Sequence, residues 1–249
     1  MLPRVLAVQH SADDPPGRLG DWLADAGCDL DIVRCFLGEP LPESLTPYAG
    51  LVVLGGAMGA YDDAAFPWLT RTKALLRAGV DSGLPTLGIC LGHQLLAVAC
   101  SGRVAVAPSP QVGLTKVGVT ALAGADPLFS GLAVDPVAVH WNNDLVVEAP
   151  PGAVVLSRST AGIQAYRLGS RAWGVQFHPE VDVETVREWA RSDVESGLLT
   201  ADRMKVLLAE VATNDEQLQD TWRAFAERFA DQVKQVRAWG RSPTAKARD

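Results

Sequence analysis

Cys90 is the side chain of this sequence whose surroundings best suit a nucleophile. It lies between Gly88 and Gly92, where an apolar strand-like run passes into an apolar helix-like run. A sharp strand-to-helix turn projects its side chain outward, and flanking glycines remove side chains that would collide with the turn or with a substrate. The helix start lowers a thiol pKa and presents backbone N–H groups to an oxyanion. We therefore predict Cys90 as nucleophile and the N–H of Leu91 as an oxyanion donor.

His178 and Glu180 could supply a base and the group that orients it. In extended chain, side chains two residues apart point to the same side, so a hydrogen bond between these two is possible, with Pro179 restricting the chain between them. The carboxylate would fix the imidazole tautomer, and the other ring nitrogen could then take the thiol proton. The alternative is a surface histidine beside a Pro-Glu helix start. His10, His93 and His140 have no carboxylate two residues away and are weaker candidates.

Alternating apolar runs and helical patterns must position these residues. The first hundred residues contain short unbroken apolar runs, typical of parallel strands covered on both faces. Predicted strands span residues 4–8, 30–35, 50–56 and 84–89, and predicted helices span 19–26, 69–80 and 91–100. This alternation favours a doubly wound α/β fold.

The second half of the chain has a different pattern. From Val104 to Phe177 β-prone runs follow each other closely, which predicts a mixed or antiparallel extension of the sheet. These runs are residues 116–122, 137–140, 154–157, 163–167 and 172–177. After Glu180 the chain turns helical, and an apolar stripe at spacings of three and four predicts a helix packed on the core, with a partner-binding helix as the alternative. The stripe consists of Leu218, Trp222, Phe225, Phe229, Val233 and Val236.

Composition limits the class of protein. The 249 residues are 48% hydrophobic, enough to bury a substantial core. We expect a single domain over residues 1–240, with a core to about 195, a helical extension over about 196–240 and a polar tail over 241–249. The net charge of -7 gives no general attraction to nucleic acid or anionic membranes. No apolar run is long enough to span a bilayer, and no signal peptide is evident, so we expect a soluble, cytoplasmic protein.

The four cysteines show no C-x-x-C pair and no tight cluster, which argues against a zinc site and against a disulfide framework. Cys28, Cys35 and Cys100 are best interpreted as packing residues. We predict neither a metal site nor a cofactor.

Taken together, these residues resemble the class I glutamine amidotransferase family, especially its stand-alone members similar to the glutaminase domain of GMP synthase. The resemblance covers roughly residues 5–190. The nucleophile pattern G-x-C-x-G-x-Q is matched at positions 88–94 and the terminal H-P-E at positions 178–180. Residues 54–58 look like the glycine-rich oxyanion loop of the family, 111–113 like the segment that follows the elbow, and 126–129 like the next turn.

The resemblance implies a flavodoxin-like fold and a thiolate that attacks the side-chain amide of glutamine, forming a γ-glutamyl thioester and releasing ammonia. It also implies that Gly56 donates the second oxyanion N–H and that Gln94 helps to hold the α-amino-acid end of the substrate. Three positions depart from the family pattern. Ala57 stands where a proline is frequent, Gln111 where an acidic residue is frequent, and Asn142 where a histidine is common. The last region borders the substrate pocket in relatives, so the preferred γ-glutamyl compound could differ.

Several functions fit these features. The first is a glutaminase or amidotransferase that passes ammonia to an acceptor, which would require a separate synthetase chain because the sequence has no P-loop. The second is a γ-glutamyl peptide or amine hydrolase without ammonia transfer. A non-catalytic regulatory binding protein is the third, although an intact Cys90, His178 and Glu180 argue against it. A peptidase or chaperone-like relative with a similar elbow is disfavoured by the H-P-E spacing.

Overall fold

The computed structural model describes residues 1–133 and 135–239, and the side chains of 237–239 are not considered. The nine strands in the described ranges are β1 (Arg4–Gln9), β2 (Asp29–Arg34), β3 (Gly50–Val53), β4 (Thr86–Ile89), β5 (Arg103–Lys116), β6 (Val137–Glu148), β7 (Val154–Arg158), β8 (Ile163–Leu168) and β9 (Ala172–Val175). The helices in the same ranges are α1 (Gly17–Asp25), α2 (Trp68–Ser82), α3 (Leu91–Ala99), α4 (Val183–Glu195), α5 (Ala201–Thr213) and α6 (Asp215–Trp239). Two short 3-10 helices cover Cys35–Leu37 and Ala121–Ala125.

The strands form one sheet in the order β2-β1-β3-β4-β9-β8-β6-β5, with β7 paired to β8 off this path. The first four strands pair in parallel with one another, and β9 pairs in parallel with β4. β3, β4 and β9 are buried along their whole length, which explains why their sequences are unbroken apolar runs. The predicted α/β, flavodoxin-like, doubly wound sheet is confirmed.

The predicted mixed second half is also confirmed, because β5, β6, β7 and β8 pair antiparallel. The strand predicted over residues 116–122 is wrong. The strand ends at Lys116, and only Val119 makes a single bridge, to Ser157. Gly118 has φ +72°, and a Cβ there would lie 2.4 Å from the carbonyl oxygen of Arg158. The chain therefore turns at this glycine and enters the 3-10 helix.

β5 precedes that turn and forms one edge of the sheet. It contains Pro108 and Pro110, and its register with β6 shifts between Val106 and Gln111. Proline lacks the N–H that a central strand needs, so an edge position is the place in a sheet that tolerates it. The two prolines also explain why the sequence does not predict this strand.

Helices cover both faces of the sheet. One core cluster joins α1, α4, α5 and α6 to the sheet, and the other joins α2 and α3 to the opposite face. Five of the six residues in the predicted C-terminal stripe are buried, from Leu218 to Val233. The stripe packs on the core, where each such side chain contributes about 1.5–3 kcal/mol.

Several polar contacts attach α6 to the rest of the molecule, among them those of Trp222 and Asp215. The Trp222 indole N–H donates to the carbonyl of Val137 at 3.2 Å. Arg18 on α1 makes a bidentate pair with Asp215, at 2.7 and 3.1 Å. None of the described helices is long and apolar enough to cross a membrane. The predicted tail over 241–249 lies outside the described residues.

Candidate active site

The predicted site residues meet at one edge of the sheet. β1, β3, β4 and β9 are parallel, so the loops that follow them emerge on the same side. Gly56 follows β3, Cys90 follows β4, and His178 and Glu180 follow β9. The carboxyl edge of a doubly wound sheet is the usual ligand-binding crevice of such folds. Topology alone therefore brings together residues that lie up to 124 positions apart in the sequence.

Cys90 occupies a strained turn between β4 and α3. Its backbone has φ 50° and ψ -104°, and it is one of two non-glycine residues with positive φ in the described chain. Its N–H donates to the Val175 carbonyl at 2.8 Å, and its own carbonyl accepts the Gln94 N–H at 3.1 Å. A non-glycine residue in such a region costs about 1–3 kcal/mol and typically marks a functional position.

Two close backbone approaches explain the glycines of the elbow. A Cβ on Gly88 would lie 2.4 Å from the carbonyl oxygen of Gly92, and a Cβ on Gly92 would lie 2.1 Å from that of Val53. Neither position has room for a side chain, so α3 can start directly against the sheet. The elbow therefore depends on both glycines.

His178 and Glu180 are hydrogen-bonded and buried. His178 Nδ1 lies 2.6 Å from Glu180 Oε1, and the two side chains are each 2% exposed. The His178 backbone N–H donates to Val139 at 2.8 Å, and the Glu180 carbonyl accepts the N–H of Arg18 at 2.9 Å. These contacts anchor the segment to β6 on one side and to α1 on the other, so the imidazole is held in one orientation.

The second imidazole nitrogen is the group available to the thiol. His178 Nε2 is buried and has no hydrogen-bond partner among the described residues. Burial alone lowers the pKa of His178, but the charges of Glu180 and of the nearby Cys90 thiolate raise it well above its ordinary value. A protonated imidazole between a carboxylate and a thiolate is the arrangement that activates a cysteine nucleophile.

The two predicted oxyanion donors belong to the elbow and to the neighbouring loop after β3. Leu91 is the first residue of α3, so its N–H has no acceptor within the helix. Gly56 has a crowded Cα, because a Cβ there would lie 3.0 Å from both His10 and Leu91 side-chain atoms. Glycine at this position lets the loop after β3 approach the elbow closely.

Gln94 lines the cavity, but its amide is already engaged. Its Nε2 donates to the Asp144 carbonyl at 3.1 Å and to Gln176 Oε1 at 3.2 Å. Gln176 Nε2 in turn lies 3.5 Å from Cys90 Sγ. Hydrogen-bonded side-chain amides thus connect Gln94 to the thiol. The side-chain Oε1 of Gln94 is the atom left to accept a hydrogen bond from a substrate ammonium.

Burial keeps the other three histidines neutral. It lowers the pKa of His10 and His140 to about 4 and that of His93 to about 3. His10 Nδ1 accepts from the Trp68 indole at 3.1 Å, and His140 lies 2.7 Å from the Thr115 hydroxyl. None of them lines the cavity that contains Cys90.

A cavity of about 630 Å³ opens over Cys90 and His178. It is bounded by the loops after β1 and β3, by α3, β5, β6 and α4, and by the α4–α5 connection. Its lining residues include Ser11, Asp13, Asp14, Gly56, Met58, Gln94, Trp141, Asn142, Asp144, Glu188, Trp189, Asp193, Leu198 and Leu199. No group of three or more His, Cys, Asp or Glu side chains in residues 1–133 and 135–239 is arranged to hold a metal ion.

Sequence reasoning missed several residues of this site. The Trp189 ring stacks edge-on against His178 at 4.7 Å, and its indole donates to the Asp13 carbonyl at 2.9 Å. Gln176 lies two residues before His178, so the same two-residue periodicity that paired His178 with Glu180 could have identified it. No sequence pattern predicts Trp189 at the site, because its position depends on how α4 packs.

Comparison with known proteins agrees with this architecture. The family model "Glutamine amidotransferase class-I" matches residues 19–189. The glutamine amidotransferase-like protein YfeJ of Salmonella typhimurium is 25% identical over 95% of this chain and 90% of its own length. GMP synthase of Aeropyrum pernix is 36% identical over 64% of this chain, but the match spans only 29% of that longer protein.

Solved structures give the same result. A glutamine amidotransferase from Thermotoga maritima has a TM-score of 0.82 at 25% identity, covering 93% of this chain and 99% of its own. A glutamine amidotransferase from Methylobacillus flagellatus has a TM-score of 0.79 at 28% identity, covering 95% and 96%. The family match spans well over half of the sequence and includes the elbow and the H-P-E segment. This chain belongs to the class I glutamine amidotransferase family.

Proposed function

We propose that the protein hydrolyses the γ-amide of a γ-glutamyl compound through a thioester on Cys90. One observation carries the proposal. His178 Nδ1 is held by Glu180 at 2.6 Å, its Nε2 is buried and has no described partner, and the charge of Cys90 is among the causes that raise the His178 pKa. A buried imidazole fixed at one nitrogen and open at the other is arranged to move a proton to and from the thiol.

The proposed reaction has two halves. The Cys90 thiolate attacks the γ-carbonyl carbon, and the N–H groups of Leu91 and Gly56 receive the developing negative charge. The His178 imidazolium then donates its proton to the leaving nitrogen as the C–N bond breaks. Water attacks the thioester, His178 takes a proton from it, and the C–S bond breaks to release glutamate.

Two destinations for the leaving nitrogen are supported by different observations. The relatives named glutamine amidotransferase and GMP synthase favour glutamine as the substrate and ammonia transfer to a separate acceptor or synthetase chain. The second candidate is a γ-glutamyl peptide or amine hydrolase, which a cavity of about 630 Å³ could serve by holding a leaving group larger than ammonia beside the γ-glutamyl group. We place the reaction in the cytoplasm, where a thiol nucleophile stays reduced.

The test compares the purified protein with Cys90→Ala and with Cys100→Ser as a matched control. Cys100 is also 6% exposed and lies at the other end of α3. We expect glutamate release from glutamine or a γ-glutamyl amide to fall at least about 1,000-fold in Cys90→Ala and to stay within about threefold in Cys100→Ser. Mass spectrometry of the quenched reaction should find a γ-glutamyl adduct on the Cys90 peptide. Equal activity of Cys90→Ala and the unmodified protein would refute the proposed mechanism.

A further inference from the structure

The cavity over Cys90 carries a strongly one-sided charge. Its acidic lining residues are Asp13, Asp14, Asp144, Glu188 and Asp193, and the described lining contains no lysine or arginine. Glu188 is neutralised by Arg191 at 2.8 Å. The other four carboxylates make no ion pair with a described residue. A concave site lined by one sign of charge concentrates ligands of the opposite sign.

Three of these acids are in surroundings that disfavour their own charge. Burial raises the pKa of Asp14, of Asp144 and of Asp193, although the charge of His178 opposes this effect at Asp14 and a Trp141 hydrogen bond opposes it at Asp193. Folded chains usually pair such carboxylates or keep them in water. A cationic ligand in the cavity would provide the missing counter-charge.

Two further features of the lining independently indicate a cationic nitrogen. Asn142 is 7% exposed, and its Oδ1 is a buried acceptor without a hydrogen-bond partner in the described chain. Trp141 and Trp189 place their rings 5.6 Å apart in the same wall. Aromatic faces attract ammonium groups by about 0.5–2 kcal/mol in proteins.

The reaction geometry indicates which part of a substrate meets these groups. The leaving nitrogen receives its proton from His178, so whatever is attached to that nitrogen begins beside the imidazole. Trp189 contacts the His178 ring at 4.7 Å, and the charge of His178 also acts on Asp14. The leaving group therefore begins between an aromatic face and a carboxylate.

A charge count separates this substrate from glutamine. A γ-glutamyl head brings one ammonium and one carboxylate, so it satisfies one of the four unpaired acids and adds another negative charge. Its carboxylate finds no described lysine or arginine in the lining and must use neutral N–H donors. At least two of these acids would stay without a counter-charge if ammonia were the leaving group, even with the charge of His178 acting on Asp14.

We infer that the preferred substrate is the γ-glutamyl amide of a cationic amine, such as a diamine or polyamine; this rests on the proposed function. The amide and one water give glutamate and the free amine. The C–N bond breaks, a C–O bond forms by way of the thioester, and the proton that balances the new carboxylate goes to the amine. The cation of the tail lies among Asp14, Asp193 and the two tryptophans.

Three substrates with matched chain length test this. They are γ-glutamyl-1,4-diaminobutane with an ammonium tail, γ-glutamyl-n-butylamide with a neutral tail, and γ-glutamyl-4-aminobutyrate with a carboxylate tail. Glutamine is the fourth. We expect kcat/KM for the ammonium compound to exceed that for the neutral one by about 10- to 100-fold, as charged contacts do. Added salt should reduce the first value and leave the second almost unchanged.

Variants locate the recognition. Asp193→Asn and Asp14→Asn should each lower the ratio of kcat/KM for the ammonium compound to kcat/KM for the butylamide by about tenfold. Asp81→Asn, an exposed acid on α2 paired with Arg77 and remote from the cavity, is the control and should change nothing. Thermal melting of each variant checks that it remains folded.

The outcomes distinguish this inference from the proposed function. Equal turnover of the ammonium and neutral compounds, a preference for the carboxylate tail, or glutamine as the best substrate would overturn the inference and leave thioester chemistry intact. If no compound releases glutamate and Cys90 forms no γ-glutamyl adduct, both the proposed function and this inference fail.

Discussion

Cys90 keeps a backbone conformation that most side chains avoid, at φ 50° and ψ -104°. Glycine adopts such angles without the Cβ clash, whereas alanine retains it. We expect Cys90→Gly to be more stable than Cys90→Ala by about 1–3 kcal/mol, the usual cost of such strain. Urea unfolding of the two variants measures this difference, and both should lack activity. Equal free energies of unfolding would mean that the turn is not strained.

Asp14 allows a test of the cavity's electrostatics through pH. Burial raises its pKa, so the folded protein holds that proton to a higher pH than the unfolded chain does. Below about pH 3.9, the pKa of Asp in the unfolded chain, Asp14 is neutral and its contribution to the stability of the fold is fully present. This contribution is lost as the pH rises through the pKa of Asp14 in the folded protein. Asp14→Asn should therefore gain stability relative to the unmodified protein as the pH rises from 4 to 7.

Urea unfolding at several pH values measures that gain. Asp81→Asn, at an exposed position, should show no comparable change. A gain that does not depend on pH would contradict a raised pKa of Asp14.

At the scale of residues, local sequence patterns predicted Cys90, His178 and Glu180 but not the side chains that surround them in the cavity. Short-range geometry determines both the turn at Cys90 and the pairing of His178 with Glu180. The flanking glycines and the two-residue spacing are therefore visible in the local sequence. Asp14 and Trp189 come to the cavity from separate elements, so their positions depend on the tertiary packing. The residues next to Asp14 and Trp189 in the sequence form no pattern that predicts their position at the cavity.

Among the elements, the elbow is the most sensitive to substitution. A Cβ on Gly92 would lie 2.1 Å from a backbone carbonyl that cannot rotate away. We expect Gly92→Ala to lose at least about 1–3 kcal/mol of stability, as overpacked cores do, together with activity. Gly124→Ala is the matched control, since a Cβ there meets nothing within 4 Å. Similar melting temperatures for the two variants would contradict the close packing of α3 on β3.

Helix α6 packs against the segment that carries His178. Trp222 packs on Phe177 with ring centroids 4.7 Å apart, and Phe177 directly precedes His178. Removing a buried indole typically costs about 3–5 kcal/mol. We expect Trp222→Ala to lose that much stability and also to lower kcat, by loosening His178. Leu122→Ala, at a side chain that is 61% exposed, should change neither. An unchanged kcat in folded Trp222→Ala would show that α6 does not position His178.

Elements were predictable where periodicity was strong. The parallel strands and the long C-terminal helix have unbroken apolar runs or a regular stripe, and both patterns reflect burial directly. β5 was misplaced because its prolines and its partly exposed edge position obscure the alternation that identifies a strand. The sheet order could not be predicted at all, because strand pairing is determined by contacts across the whole chain.

For the molecule as a whole, buried neutral histidines limit stability in acid. Burial lowers the pKa of His10 and His140 from 6.5 to about 4 and of His93 to about 3. The unfolded chain binds these protons first, so stability falls as the pH drops from 6.5 towards 4. Each shift corresponds to something on the order of 3 kcal/mol. Because a domain typically has 5–15 kcal/mol, we expect unfolding to begin above pH 4.

Circular dichroism across that range measures the transition. His140→Gln, which keeps a polar group for Thr115, should reduce the dependence of unfolding free energy on pH. A stability that stays constant from pH 6.5 to 4 would show that these histidines accept protons without unfolding the protein.

The position of β9 has a consequence for biosynthesis. This strand is the last of the nine in the described sequence, yet it lies beside β4 in the middle of the sheet and receives the Cys90 N–H on Val175. A ribosome releases residues 86–90 long before residues 172–180, so β4 has no neighbour on that side until nearly three quarters of the chain has emerged. The nascent thiol consequently stays without its imidazole through most of translation. Under the proposed mechanism, activity therefore requires β9 to have paired with β4.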